Sequence, residues 1–117
     1  MTTRYIDIED GQLVPKSLTA YPSDTVIFRM SGRSDVVTVD FGTSSPFGSQ
    51  PSDLKFDLDG TNTLYSSSAQ KTVSASTTHQ YFYNVNHVPP PGAEPEPTTT
   101  LPGDITVSTE APPKDKL

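Results

Sequence analysis

Cysteine does not occur in this chain. Its absence excludes disulfides, zinc–thiolate sites, thiol nucleophiles and thiolate-ligated copper together. It leaves the compartment open, because a cysteine-free protein is stable in either redox state. Histidine is nearly as scarce, with only His79 and His87. Cationic clusters are missing too: Arg29 and Arg33 are the closest pair of arginines, and the net charge is −6. A diffuse acidic balance disfavours nucleic acid and anionic membrane as partners. No run approaches the ~18 apolar residues that a membrane helix needs. Residues 1–11 lack the apolar stretch of a cleaved secretion signal. The default expectation is a cytoplasmic chain or one that belongs to an assembled particle. The terminal KDKL looks only loosely like a retention tail and is read as chance. Helical periodicity is also absent throughout.

What is present is a short β-type chain. A length of 117 residues suits one domain with one core. Hydrophobic residues make up 32%, and they are unevenly placed. Eight of the twelve prolines lie between Pro89 and Pro113, in a stretch rich in Thr and Glu. The apolar residues concentrate between Tyr5 and Val88, with Ile105 and Val107 added. The expected organisation is a β-sandwich over 1–109, carrying a proline-rich loop at 89–102, then a flexible tail at 110–117.

Alternation places the strands. Residues 4–8 put Ile6 and Ile8 on one face, and 17–21 do the same with Leu18 and Ala20. Val26, Phe28 and Met30 share a face of 25–30. Val37, Val39 and Phe41 share a face of 35–41, and the two strands read as a hairpin across a four-residue loop. A long loop at 42–53 holds one aromatic, Phe47. Leu54, Phe56 and Leu58 are in phase, residues 61–69 read mostly as loop, and 70–75 read as an edge strand. Residues 80–86 form a central strand with Tyr81, Tyr83 and Val85 on one side and Phe82 and Asn84 on the other. Pro89 to Pro102 lacks the backbone donors of a packed element, and the last strand runs over 103–109. Seven or eight short strands at this spacing argue an all-β Greek-key β-sandwich.

The order of these signals resembles a cupredoxin. The motifs are Pro22-Ser23-Asp24-Thr25-Val26, then Asp35-Val36-Val37-Thr38-Val39, Pro46-Phe47-Gly48-Ser49, Tyr81-Phe82-Tyr83-Asn84-Val85 and Gly103-Asp104-Ile105-Thr106-Val107. The resemblance spans residues 6–108 and implies the sandwich fold. It also implies where copper ligands would stand, and this chain departs there. Asp35 holds the position of the first histidine and Val85 that of the cysteine. The second histidine falls at Val88, one residue beyond His87. Blue-copper electron transfer needs the thiolate, so that chemistry is rejected.

The remaining sites are weighed against plainer explanations. His79, His87 and Asp35, with Asp40 nearby, are the metal candidates. At about 3.3 Å per residue the two histidines lie about 26 Å apart along one strand, too far to share an ion. They read instead as histidines at strand ends, and no metal or other cofactor is expected. Asp7, Glu9 and Asp10, and Asp53, Asp57 and Asp59, read as solvated turn carboxylates rather than a calcium site. Ser66, Ser67, Ser68, Ser44 and Ser45 stand in no nucleophile motif, so no enzyme is expected. Tyr81, Phe82 and Tyr83 read as divided between core and surface. Pro89, Pro90, Pro91, Pro95 and Pro97 are the partner-binding candidates, because an unstructured loop of this length is uncommon unless functional.

The expected function is a non-enzymatic structural or protein-interaction module, self-associating or a subunit of an assembly. The alternatives are a non-blue metal-binding or copper-handling protein using His79, His87, Met30 and carboxylates, and a small carbohydrate-binding module using Tyr81, Phe82 or Tyr83.

Overall fold

The computed structural model describes residues 2–88 and 100–109. Nine strands and one helical turn follow in order: β1 (Thr3–Glu9), β2 (Gln12–Val14), β3 (Ser17–Ala20), β4 (Thr25–Met30), β5 (Val36–Asp40), α1 (Pro51–Leu54), β6 (Lys55–Asp59), β7 (Ser68–Thr72), β8 (His79–Val88) and β9 (Thr100–Val107). They form two sheets, one ordered β2-β1-β4-β7 and the other β3-β9-β8-β5-β6. Both sheets are mixed: β1 runs parallel to β4 and β3 parallel to β9, and the remaining pairs are antiparallel.

The alternation seen in the sequence is the alternation of burial. Ile6, Ile8, Val26, Phe28, Val37, Val39, Tyr83, Val85, Ile105 and Val107 are buried between the sheets. β8 is the middle strand of five, as its aromatic content suggests. Tyr83 is 2% exposed while Phe82, its neighbour, is 66% exposed on the outer face. Phe28 is the hub of the core. Phe41, Phe47, Phe56 and Tyr83 surround its ring edge-on at centroid distances of 6.4, 6.0, 5.2 and 5.8 Å. Such edge-to-face pairs add to the stabilisation from burial alone. Phe47 is the aromatic of the long loop. Its burial anchors that loop, together with the Ser45 to Gly48 bridge and the Pro46 carbonyl oxygen, which accepts from the N–H groups of Ser74 (2.9 Å) and Ala75 (3.1 Å).

Asp24, in the turn before β4, is buried and fully engaged. It accepts hydrogen bonds from the backbone N–H groups of Thr2 and Tyr21 (both 2.9 Å) and from Nε of Arg4 (2.7 Å). This carboxylate ties the start of β1 to the start of β4, its parallel partner.

The structure corrects several expectations. β4 and β5 are not a hairpin, because they lie in different sheets. Each has a fully apolar face, and the two faces cover one core from opposite sides, so the loop between them crosses the sandwich. The sequence did not announce β2. It is three residues long between Gly11 and Pro15, and it forms by folding back antiparallel on β1. Gly11, at φ 87°, makes that turn possible. The edge strand β7 starts at Ser68, so part of the expected loop is strand, and Val73 is buried just after it. Residues 51–54 form a helical turn, so β6 begins at Lys55. Thr100, Leu101 and Pro102 belong to β9 and pair with Asn86, Val85 and Asn84, although the sequence put them in the proline-rich loop. Pro102 is tolerated because β3 flanks β9 only from Asp104 to Val107, leaving Pro102 on an open edge. Pro89, Pro90, Pro91, Pro95 and Pro97 lie outside the described residues, as does the 110–117 tail.

Tyr83 and Gly103 are direct cross-strand partners. A Cβ on Gly103 would lie 2.5 Å from Cζ of Tyr83, so only glycine lets the ring reach the core. The Tyr83 hydroxyl is buried without a hydrogen-bond partner among the described residues. Burial, and then the Asp104 charge, push its pKa up. Chemical denaturation is expected to show Gly103→Ala less stable by about 2 kcal/mol or more, since backbone or ring must move. Tyr83→Phe is expected to match the wild type or gain about 1 kcal/mol, because it removes an unpaired buried group. A large loss in Tyr83→Phe would contradict the unpaired hydroxyl.

Candidate functional site

The antiparallel register of β5 and β8 pairs Val37 with His87 and Val36 with Val88. It therefore brings Asp35, just before β5, to the end of β8. Nδ1 of His87 lies 2.8 Å from Oδ2 of Asp35. Arg33 grips the same carboxylate with two donors, Nε to Oδ1 (2.9 Å) and Nη2 to Oδ2 (2.6 Å). Its Nη1 donates to the Glu9 carbonyl oxygen at 3.2 Å, linking this corner to the other sheet. Because the carboxylate only accepts, neutral His87 carries its proton on Nδ1, and Nε2 is left as an acceptor.

The backbone holding this corner is fixed by the turn after β6. Asp59 is 0% exposed. It accepts hydrogen bonds from the backbone N–H groups of Thr61 (2.7 Å) and Leu64 (2.8 Å), and from the hydroxyls of Thr61 and Thr63. One carboxylate thus shapes the whole loop over 60–65. Gly60 donates its N–H to the Asp35 carbonyl oxygen at 2.8 Å. A Cβ on Gly60 would sit 2.0 Å from the Arg33 carbonyl oxygen, so the approach of the two loops requires glycine. The expectation that Asp59 is a solvated turn carboxylate is therefore wrong. Its turn curls around it and buries it with donors supplied by the turn itself. Asp57 and Asp53 do not join it: Asp57 accepts from the Thr38 hydroxyl, and Asp53 contacts the Gln50 N–H.

Between this loop and the ends of β5 and β8 lies a recess of about 390 Å³. Asp35, Asp57 and His87 supply its polar wall, and Val36, Leu64, Tyr65 and Val88 its apolar wall. Leu64 and Tyr65 are 68% and 48% exposed. Sequence reasoning weighed Asp35, His87 and Asp57 but missed Arg33, Leu64 and Tyr65. The Asp-Gly pair at 59–60 was the available signal that residues 61–65 form a shaped turn.

His79 stands at the far end of β8, its ring 4.7 Å from that of Tyr81. The two histidines therefore do not meet, while Asp35 and His87 do. Among the described residues no three carboxylates or imidazoles converge.

No family model and no curated protein matches the sequence. Among solved structures the chain is similar to a pseudoazurin from Sinorhizobium, at 15% identity and a TM-score of 0.53, over 95% of this chain and 77% of that one. The fold is cupredoxin-like. Auracyanin B is also similar, at 14% identity and a TM-score of 0.49, over 92% of this chain and 88% of that one. The cupredoxin-like fold does not bring a copper site with it. Val85, at the expected thiolate position, is an apolar side chain buried in the core. Asp35, at the expected histidine position, already holds a guanidinium. A metal ion there would face a fixed positive charge, so these residues do not fit the group.

Three carboxylates depend on their ionised form. Burial works to raise the pKa of Asp35, but the bonds from Arg33 and His87 outweigh it and hold the group below the usual carboxylate range. In Asp24 burial is likewise overcome, by Arg4, Tyr21 and Thr2. For Asp59 the Thr61 hydroxyl and the Leu64 N–H lead, and they hold it far below that range. A folded-state pKa below the unfolded value of about 4 means that the unfolded chain binds more protons in acid. Stability is then complete above about pH 5 and falls as pH drops below about 4. Urea midpoints measured across pH are expected to follow this course. Asp59→Asn should lower the neutral-pH midpoint and flatten the acid slope. A midpoint that is independent of pH between about 2 and 5 would contradict it.

Proposed function

We propose that this chain is a non-enzymatic interaction module, self-associating or acting as an assembly subunit, and that it makes its contact through the recess at the end of the sandwich. The observation that carries this reading is the recess itself, an apolar rim of Leu64, Tyr65 and Val88 around a few fixed polar groups. That composition is characteristic of a binding site. The polar groups support holding rather than reacting. His87, Asp35 and Arg33 bond to one another, and the Thr61 and Thr63 hydroxyls are bound to Asp59. Open sheet edges offer a second surface for pairing, but β2, β3, β6 and β7 there are only three to five residues long. An exposed tyrosine beside a leucine is a stronger anchor than a short polar edge.

Size-exclusion chromatography with light scattering over rising concentration tests the self-associating form. In that form the wild type exceeds its 12.6 kDa monomer mass. Leu64→Glu should return it to monomer without loss of fold, because Leu64 projects into solvent. A wild type that stays strictly monomeric at high concentration would contradict self-association.

A further inference from the structure

We infer that the recess receives a basic segment of a different protein, with a lysine or arginine seated beside an apolar side chain; this deepens, and rests on, the interaction reading above. Asp35 and Asp57 line the recess and no lysine or arginine does; Asp35 is paired with Arg33, so among the described residues the uncompensated charge of the lining is that of Asp57. Asp59 adds a third carboxylate behind the loop that forms one wall. Arg33 is the single guanidinium nearby, and it is engaged by Asp35 and the Glu9 carbonyl. The Thr38 hydroxyl occupies Oδ1 of Asp57, which leaves Oδ2 able to accept from a cation. The apolar wall of Val36, Leu64, Tyr65 and Val88 suits the methylene stem of a long basic side chain and the apolar residue next to it. Tyr65 adds an aromatic face that attracts a cation.

The arginines of the chain do not readily supply that cation. Its three arginines are each held in an internal ion pair, Arg4 with Asp24, Arg29 with Asp7 and Arg33 with Asp35. Lys71 donates to the Ser52 carbonyl oxygen. With a net charge of −6, two copies also repel each other, whereas a basic partner is drawn in.

The test uses the full ¹⁵N-labelled chain and three short capped peptides of alternating leucine with arginine, glutamine or glutamate. The arginine peptide is expected to shift the amide signals of Leu64, Tyr65 and Val88. Its affinity should fall about three- to fivefold in Asp57→Asn, a variant that keeps the shape and the Thr38 bond. A similar fall is expected on raising salt from about 0.05 to about 0.5 M. If the glutamine or glutamate peptide binds the recess equally well, the charge inference fails and the interaction reading stands. If no peptide moves the recess signals, or all bind elsewhere, the inference fails, and the interaction reading fails with it unless light scattering shows self-association.

Discussion

The structure depends first on the ring of Phe28. Four aromatic side chains meet it edge-on, and they come from the loop after β5, from the long loop, from β6 and from β8. Phe28 itself belongs to the other sheet. The contact is therefore the clasp between the sheets, and each ring pair contributes on the order of 0.5–1.5 kcal/mol beyond its burial. Tyr83 reaches this cluster only because Gly103 faces it. With Tyr83 seated, the register of β8 is set on both sides. A one-residue slip would turn its whole apolar face to solvent.

That register in turn makes the site. β5 and β8 are antiparallel, so aligning Val39 with Val85 in the core aligns Val37 with His87 at the end. The Asp35–His87 bond follows from packing some distance away. A second constraint, independent of the core, completes the recess. Asp59 gathers the donors of its own turn, and Gly60 lets that turn lie against the Arg33 backbone. The apolar rim of Leu64 and Tyr65 is held out in solvent by a buried carboxylate.

The sequence shows the parts of the fold that depend on period-two burial and hides those that depend on tertiary pairing. Ile6, Ile8, Val26, Phe28, Val37, Val39, Tyr83 and Val85 alternate visibly, so the sandwich and its central strand were legible, as was the resemblance in fold. Which sheet a strand joins is not a local property. β4 and β5 therefore read as a hairpin although they lie on opposite sides of the core. The strand β2 carries too few residues to show a period. At the site, Asp35 and His87 were both noticed as candidates, but 52 residues separate them and only register brings them together. Asp59 misled because a carboxylate in an Asp-Gly turn is ordinarily solvated. Its burial depends on donors contributed by the five residues that follow it, and nothing in their composition announces that.

The central claim is that core register places His87 against Asp35 beneath the recess. The ¹⁵N resonances of the two histidine rings test it most directly, measured near pH 9 where an imidazole is neutral. The account predicts that His87 is held as the Nδ1–H tautomer and that Asp35→Asn changes its ring signals while those of His79 stay as they are. A His87 ring in the Nε2–H tautomer, indifferent to Asp35, would contradict it.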